Sequence, residues 1–358
     1  MVPDAIPLEQ VKRALIIKLR HHGDVLLTTP VFSALKRAAP DCEIDALVYG
    51  ETSPMLEGHP AVERIHRIER NWKDLGLVSR LREEWSLYTT LRARNYDLII
   101  HLTDQGRGAR LSRWLKPRWS VAPARKGQLW RRSFTHQYAA SGKANRHRVE
   151  CNLDALRRLG IPIDLAGKQL TLTTGFEAET RVDSLLEQHQ LEFGSFIHIH
   201  PTSRWLFKTW APERVAALID GLAAKGWPIV LTAAPDPKEL ALIEKIIALA
   251  HAPVVNLAGQ LSLKEMAALS AHSRLFVGVD SAPMHIAAAV STPVVAIFGP
   301  SGELEWRPWG VPHRVVASDF HPCRPCGLDG CGGGKISECL SMLPAGRVLE
   351  ACEQLLAE

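Results

Sequence analysis

The stretch from Val277 to Gly299, VGVDSAPMHIAAAVSTPVVAIFG, joins an apolar strand end, a polar turn, a short helix and a second apolar strand. Pro283 suits the first position of that helix, because proline lacks the N–H group that would be unpaired there. A helix that begins beyond the carboxyl end of a parallel strand points its unpaired N–H groups outward and is suited to bind a phosphate group. The candidate phosphate-binding residues are Asp280, Ser281, Ala282 and, on the first helical turn, His285. A buried strand-helix-strand crossover whose polar turn only caps the helix would explain the same pattern.

A second polar stretch follows the predicted strand from Ser195 to His200, SFIHIH. Thr202 and Ser203 come soon after it and offer hydroxyl and amide donors to a phosphate group, and Lys208 offers a mobile positive charge. Ordinary surface residues are of the same types. The position at the carboxyl end of a strand nevertheless favours a second part of a phosphate-binding site.

Asp24 lies in the loop HHGDV, between a predicted strand over Arg13 to Arg20 and a predicted helix over Val25 to Ala39. The loop lacks the GxGxxG pattern of dinucleotide-binding proteins, so the sequence does not favour that function. At the N-cap position the carboxylate of Asp24 would stabilise the helix by about 1 kcal/mol. At the edge of a ligand cleft the same carboxylate would act as a general base. The sequence leaves both roles open.

The interval from Arg107 to Arg148 contains twelve lysine and arginine residues and no aspartate or glutamate, in a chain whose formal net charge is only +5. Trp114, Trp119 and Trp130 lie among these cations. Such an interval predicts a multiply anionic partner, and the aromatic faces are suited to stack on bases or sugar rings. Nucleic acid is one candidate partner, and a solvated surface loop would also explain the charge.

These polar stretches must be positioned by regular elements, and apolar runs alternate with helical patterns in both halves of the chain. The alternation predicts an α/β protein of two Rossmann-like domains with mostly parallel sheets. We expect an N-terminal domain at 1–175, a C-terminal domain at 176–344 and a closing helix at 345–358, which finishes the fold or packs back on the first domain. The carboxyl edges of the two sheets would face each other across a central cleft.

The composition is that of a globular protein, with 358 residues, of which 46% are hydrophobic and 23% charged. The first residues, MVPDAIPLEQVKRAL, predict neither a secretory signal nor an anchor, and prolines and glycines interrupt the uncharged run 281–302. Seven cysteines without a secretion signal indicate a reducing cytoplasm. Four of them have a spacing compatible with a structural tetrathiolate metal site, although free thiols would explain them as well: Cys323, Cys326, Cys331 and Cys339.

Three motifs occur in the order GDVLLTTP at Gly23 to Pro30, HPTSRWLFKTW at His200 to Trp210 and VDSAPMHIAAA at Val279 to Ala289. Together they resemble the ADP-heptose lipopolysaccharide heptosyltransferases, an inverting glycosyltransferase family with the GT-B fold, and the resemblance covers nearly the whole chain. The run KLRHHGDVLLTTPVFSALK and the cysteine-rich tail most resemble the heptosyltransferase III branch. The resemblance implies transfer of heptose from ADP-L-glycero-D-manno-heptose to the second heptose of the lipopolysaccharide inner core.

The resemblance also implies roles for the residues named above. Asp24 would deprotonate the acceptor hydroxyl, which would attack the anomeric carbon from the face opposite the leaving ADP. The leaving diphosphate would be stabilised by Thr202, Ser203, Lys208 and the amides of Ser281 and Ala282, while Asp280 and His285 would contact the heptose and its phosphates. A family carboxylate that holds the donor nucleoside corresponds to Asp236 or Glu239, and the spacing leaves this choice open. This displacement requires no cofactor.

An inner-core acceptor bears carboxylates and phosphates, so we expect the basic interval to bind it, through Arg107, Arg110, Arg131 and Arg132. The protein would then be cytoplasmic, in transient contact with the inner face of the cytoplasmic membrane, and would have no nucleic-acid partner. Three other hypotheses stay open. They are a heptosyltransferase for another acceptor position or a protein acceptor, a nucleotide-sugar epimerase on a similar scaffold, and a nucleic-acid-binding protein that uses residues 107–148.

Overall fold

The computed structural model describes residues 4–139 and 146–358. Contacts divide the chain into two compact units, Met1–Thr173 and Thr174–Glu358. Residues 140–145, which belong to the basic interval, lie outside the described residues. Within the described chain, no helix is both long and apolar enough to cross a bilayer.

The first unit contains one sheet of six parallel strands in the order β3-β2-β1-β4-β5-β6. Its strands are β1 Arg13–Ile17, β2 Glu43–Tyr49, β3 Arg64–Ile68, β4 Leu98–His101, β5 Trp119–Pro123 and β6 His136–Tyr138. Its helices are α1 His22–Leu26, α2 Thr29–Ala38, α3 Leu77–Ala93, α4 Gly106–Leu115, α5 Gln128–Arg131 and α6 Arg148–Arg158.

The second unit contains another sheet of six parallel strands, in the order β12-β11-β10-β7-β8-β9. Its strands are β7 Ile197–His200, β8 Ile229–Leu231, β9 Val255–Asn256, β10 Leu275–Val279, β11 Val294–Phe298 and β12 His313–Ala317. Its helices are α7 Phe176–Gln188, α8 Pro212–Ala223, α9 Pro237–Leu249, α10 Leu263–His272, α11 Ala282–Ala289, α12 Glu303–Trp306, α13 Glu338–Ser341 and α14 Ala345–Ala357.

The central strands are continuous apolar runs because both faces of each sheet are covered. In β1 the four residues after Arg13 are fully buried, and every residue of β10 is buried as well. A half-exposed sheet would instead show alternating polar residues. The two parallel sheets confirm the predicted α/β class with two Rossmann-like halves.

The closing helix α14 packs within the second unit, against α8 and the strands β10, β11 and β12. Val348 and Cys352 are fully buried there. The indole N–H of Trp210 donates to the carbonyl oxygen of Leu343, just before the helix, at 3.0 Å. These contacts hold the closing helix to the second unit.

The predicted single helix from Val25 to Ala39 is wrong in one respect, because the chain forms two helices, α1 and α2, with Leu27 and Thr28 between them. Pro30 provides the physical reason, since a proline inside a continuous helix would clash with the carbonyl of Leu26 and would lack its own N–H. The hydroxyl of Thr28 donates to the carbonyl oxygen of Val25 at 2.6 Å at this break.

The basic interval is folded, so the interpretation as a surface loop is wrong for residues 106–138. This part of the chain forms α4, β5, α5 and β6, and thus supplies two strands of the first sheet. Helix α4 approaches the sheet closely at Gly108, where an added Cβ would lie 2.2 Å from the ring of His101. The cations within residues 106–138 therefore lie on a folded scaffold of helices and strands.

Candidate functional site

Asp24 lies at the carboxyl edge of the first sheet, where the chain leaves β1 and enters α1. The N-cap of α1 is His21, and Asp24 is in the first turn of the helix. The prediction of Asp24 at the N-cap is therefore wrong. Its carboxylate is partly exposed, at 21% of the side chain, and the first turn of a helix favours a negative charge.

Lys18, which the sequence analysis missed, is buried beside Asp24. Its Nζ lies 3.9 Å from the Asp24 carboxylate, and the ammonium donates to the Leu102 carbonyl and to Oδ1 of Asn152, each at 3.3 Å. Burial lowers the pKa of Lys18 to about 8, and the charge of Asp24 opposes that shift. The signal in the sequence was one lysine at the end of the apolar run RALIIKL.

Two arginines meet at the same edge of the sheet. Arg20 follows β1 and forms an ion pair with the Asp104 carboxylate at 3.2 Å, while Arg125, which follows β5, donates to the Asp104 carbonyl oxygen at 2.5 Å. Asp104 itself follows β4. The structure thus places two guanidinium groups at the edge where Asp24 lies, and the sequence analysis did not single out either.

The four arginines predicted to bind the acceptor fall into two groups. Arg107 and Arg110 lie in the first half of α4, where Arg107 forms an ion pair with Glu84 and Arg110 is exposed. Arg131 and Arg132 line a cavity of about 410 Å³ together with Arg113, Lys116 and Ser120. This cavity lies at the amino ends of β5 and β6, which is the edge opposite to Asp24. The role of all four arginines in acceptor binding stays a prediction.

Asp280 and Lys208 meet at the carboxyl edge of the second sheet. Asp280 follows β10, and its Oδ2 accepts a hydrogen bond from Nζ of Lys208 at 2.6 Å. The Asp280 side chain is 7% exposed and the Lys208 side chain 24% exposed. The ammonium is therefore the partner that remains accessible, held in place by a buried carboxylate.

Helix α11 begins next to this pair. Its N-cap is Ser281 and its first residue is Ala282, so Pro283 occupies the second position and not the predicted first one. No side chain of the described residues caps its first turn, and Ser281 Oγ donates to the carbonyl oxygen of Val279 at 3.3 Å instead. His285 is buried, with its ring 6.3 Å from the Trp306 ring. This geometry is compatible with phosphate binding at the helix start.

The loop after β7 is held from inside the unit. Thr202 is fully buried and its hydroxyl donates to Glu239 at 2.6 Å, while Ser203 Oγ accepts from the Trp205 N–H at 3.3 Å. The hydroxyl of Thr202 thus points to a carboxylate inside the unit. In the structure it is a positioning group for the loop.

A buried polar network continues behind Thr202. His200 Nδ1 and His198 Nε2 are hydrogen-bonded to the Thr232 hydroxyl at 2.9 and 2.7 Å. Burial lowers the pKa of His200 to about 3 and lowers the pKa of His198 well below its ordinary value. Both imidazoles are therefore neutral at physiological pH, and they rigidify the strand ends that position the loop.

The two carboxylates left open by the sequence have different surroundings. Asp236 is the N-cap of α9, where Oδ1 accepts from the N–H groups of Lys238 and Glu239 at 2.9 and 3.4 Å. Glu239 is buried and contacts Thr202. Asp236 thus has a structural role in capping, whereas Glu239, in the first turn of α9, holds the Thr202 loop at the strand edge.

The four cysteines of the tail were predicted to form a possible tetrathiolate site. Cys323, Cys326 and Cys331 are exposed and Cys339 is buried, and all are free thiols. Within residues 4–139 and 146–358, no group of three or more His, Cys, Asp or Glu side chains is arranged to hold a metal ion. The tetrathiolate site stays a prediction, and elemental analysis of the purified protein tests it directly.

Comparison with known proteins gives consistent matches. The model of glycosyltransferase family 9 (heptosyltransferase) matches residues 84–335. Lipopolysaccharide heptosyltransferase 3 of Escherichia coli is 39% identical over 347 residues, which are 94% of this chain and 97% of that protein. Lipopolysaccharide heptosyltransferase 1 of Pseudomonas aeruginosa is 26% identical, over 88% of this chain and 86% of that protein.

Solved structures show the same fold. The glycosyl transferase family 9 protein from Veillonella parvula has a TM-score of 0.85 at 22% identity, and the match covers 99% of both chains. Escherichia coli ADP-heptose lps heptosyltransferase II has a TM-score of 0.76 at 22% identity, over 96% of this chain and 98% of that chain. The predicted GT-B class is thereby confirmed.

Proposed function

Because the chain belongs to glycosyltransferase family 9, the heptosyltransferases, we propose that it transfers heptose from ADP-L-glycero-D-manno-heptose to the second heptose of the lipopolysaccharide inner core. The observation that supports this acceptor most directly is the near full-length identity of 39% with a lipopolysaccharide heptosyltransferase 3. The protein would act in the cytoplasm, at the inner face of the cytoplasmic membrane, where its lipid-anchored acceptor is exposed.

In the proposed reaction Asp24 removes the proton of the acceptor hydroxyl as that oxygen attacks the anomeric carbon of the donor. The bond from the anomeric carbon to the ADP oxygen breaks in the same step, so the configuration inverts and no covalent enzyme intermediate forms. The partly exposed carboxylate of Asp24, with the buried ammonium of Lys18 at 3.9 Å, supports this role. Lys18 positions the carboxylate and lowers the cost of its charge.

The second unit binds the leaving diphosphate in this proposal. Lys208 supplies a positive charge, and the N–H groups of Ser281 and Ala282 supply donors at the start of α11. Asp280 holds the Lys208 ammonium through the 2.6 Å hydrogen bond. His285, on α11, would contact the heptose and its phosphates. Thr202, Ser203 and Glu239 shape the loop beside them, with Ser203 offering its backbone to the donor. The displacement requires no metal.

Acceptor anions would be bound by arginines at the carboxyl edge of the first sheet. Arg107 and Arg110 lie on α4, and Arg20 and Arg125 meet at Asp104 on the same edge. Charged hydrogen bonds of this kind suit the carboxylates and phosphates of an inner-core saccharide. The assignment adds Arg20 and Arg125 to the arginines expected from the sequence.

One experiment tests the reaction and its acceptor together. Truncated core acceptors with one and with two inner-core heptoses are incubated with ADP-heptose and the native chain, and the products are analysed by mass spectrometry. We expect one added heptose only on the acceptor that contains the second heptose, and almost none with Asp24→Asn. Transfer to the shorter acceptor would contradict the proposed position, and consumption of donor without any acceptor would contradict transfer itself.

A further inference from the structure

Helix α3 has apolar side chains on two faces, and only one of those faces packs on the sheet. Leu87 and Leu91 are buried in the core of the first unit. Leu77, Leu81 and Trp85 follow one another at intervals of four residues, so they share a face, and they are 74%, 61% and 66% exposed. Val78, beside them, is 81% exposed.

Aromatic contacts extend this exposed face onto α4. The rings of Trp85 and Tyr88 are 5.5 Å apart, and those of Tyr88 and Trp114 are also 5.5 Å apart. Trp114 is half exposed. The result is a continuous surface that we name the α3–α4 ridge, and it consists of Leu77, Val78, Leu81, Trp85, Tyr88 and Trp114. Exposed apolar groups that cluster in this way indicate an interaction surface, whereas single ones do not.

Cations accompany the ridge. The Arg92 guanidinium lies 5.9 Å from the centre of the Tyr88 ring and donates to its hydroxyl at 2.6 Å. Arg113 and Lys116, on either side of Trp114 in the sequence, line the 410 Å³ cavity with Arg131 and Arg132. Among the described residues, the side chains of the four cavity cations form no ion pair or hydrogen bond. These cations are Arg113, Lys116, Arg131 and Arg132. Other arginines of this unit, such as Arg13, Arg94 and Arg157, are paired with carboxylates.

We propose that the α3–α4 ridge docks on an anionic lipid bilayer, with the adjacent basic cavity holding lipid phosphate groups. Tryptophan, leucine and arginine on one helical surface are typical of segments that lie in the membrane interface. A helix of 17 residues is about 25 Å long, which is enough to contact many headgroups. The unpaired cations complement the negative surface potential of such a bilayer.

Charge also argues against a second copy of this chain as the occupant of the ridge. In a two-fold symmetric dimer the same surface meets itself, which would bring Arg92, Arg113 and Lys116 of both copies together. An anionic bilayer instead neutralises those groups. This docking proposal rests on the proposed function in one respect. An enzyme whose acceptor is anchored in a lipid bilayer must act at the membrane surface.

The test compares two double variants with matched controls, all as the full chain. Leu81→Ser with Trp85→Ser removes the centre of the ridge, and its control is Phe176→Ser with Phe320→Ser, two phenyl groups that are each 85% exposed in the second unit. Arg131→Gln with Arg132→Gln removes cavity charge. Its control, Lys225→Gln with Lys245→Gln, removes the same charge from exposed positions of the second unit.

Binding is measured by co-sedimentation with vesicles of equal parts phosphatidylglycerol and phosphatidylethanolamine, and with vesicles of phosphatidylcholine alone. We expect the native chain to prefer the anionic vesicles. The ridge variant should lose about tenfold in partition coefficient at any salt concentration. The cavity variant should lose about tenfold at low salt and approach the native chain at high salt, because the effect is electrostatic. Both controls should bind like the native chain.

Three outcomes would overturn the proposal as a whole: native affinity in the ridge variant, equal losses in the controls, or a dimer of the native chain that the ridge variant disrupts. Transfer to a deacylated, soluble acceptor separates this proposal from the proposed function. We expect the ridge variant to keep native turnover on it. A raised acceptor KM in the cavity variant, with native vesicle binding, would return Arg131 and Arg132 to the acceptor site and overturn their role in docking.

Discussion

Each unit has a lysine and an aspartate at the carboxyl edge of its sheet, and the two pairs are built in opposite ways. In the first unit the cation is inside, since the Lys18 side chain is 5% exposed and the Asp24 side chain 21% exposed. In the second unit the carboxylate is inside, since Asp280 is 7% exposed and Lys208 24% exposed. The two pairs also differ in separation, at 3.9 Å and 2.6 Å.

The two sheet edges therefore present opposite charges to a ligand. A carboxylate supported by a buried cation is suited to accept a proton from a hydroxyl, whereas an ammonium supported by a buried carboxylate is suited to bind a phosphate. The buried partner in each pair stabilises and orients the accessible one. A transferase that activates an acceptor and stabilises a leaving diphosphate needs one edge of each kind, which agrees with the proposed function.

The largest effect is expected for Asp24→Asn, which keeps the shape of the accessible group in the first pair and removes its basicity. The rate of heptose transfer should fall by about 10² to 10⁴, because a positioned general base contributes that much. Initial rates at saturating donor, followed by mass spectrometry, measure the loss. Asp104→Asn is the control, since this carboxylate lies on the same edge in an ion pair with Arg20, and it should retain most of the rate. Similar losses in both variants would contradict the role of Asp24 as base.

A smaller effect is expected for Lys208→Ala, which removes the accessible group of the second pair. Loss of a hydrogen bond to a charged group should reduce kcat/KM for the donor by about 10- to 100-fold, with the acceptor KM nearly unchanged. Lys208→Arg should recover part of the activity, because the charge is retained. An unchanged donor kcat/KM in the Ala variant would show that the second edge does not bind the diphosphate.

The buried partner of the first pair is tested by the pH dependence of stability with Lys18→Met. Burial lowers the pKa of Lys18 from 10.5 to about 8, so the unfolded chain binds this proton more tightly than the folded one. The contribution of Lys18 to the free energy of unfolding therefore rises between pH 8 and 10.5 and is lowest below pH 8. Relative to the variant, the native chain should gain up to about 3 kcal/mol across that window.

Urea unfolding of both chains at several pH values measures this difference. Lys245→Met is the control, because Lys245 lies in an exposed ion pair with Glu213, and its difference from the native chain should be nearly independent of pH over the same window. If the free energy of unfolding of Lys18→Met differed from that of the native chain by the same amount at every pH, Lys18 would not be a buried ammonium beside Asp24.

The smallest effect distinguishes two carboxylates of the second unit. Asp236→Ala should lower the free energy of unfolding by about 1 kcal/mol, through loss of the cap of α9, and leave the donor KM unchanged. Glu239→Gln should raise the donor KM, because it weakens the contact that holds the Thr202 loop. Thermal unfolding and donor titrations measure the two effects. The opposite pattern would assign donor binding to Asp236.

Much of the fold could be predicted from the sequence, because it depends on local patterns. The predicted strand over Ser195 to His200 occurs as β7 Ile197–His200, and the predicted strand over Arg13 to Arg20 begins at Arg13 as β1 Arg13–Ile17. The basic interval was harder, since its strands β5 and β6 are short and lie among charged residues, and such strands form only because neighbouring strands pair with them. The break between α1 and α2 could have been predicted from Pro30.

The sequence by itself determined the order of strands and helices, the polar stretches at the strand ends and the resemblance to the heptosyltransferases, because each of these depends on neighbouring residues. Only the tertiary structure decided the partners of the charged groups. Lys18 meets Asn152, Lys208 meets Asp280, and Arg131 joins Lys116 at the edge away from Asp24. The physical reason is the strand order: parallel strands distant in sequence become neighbours, and their ends bring together side chains that no local pattern connects.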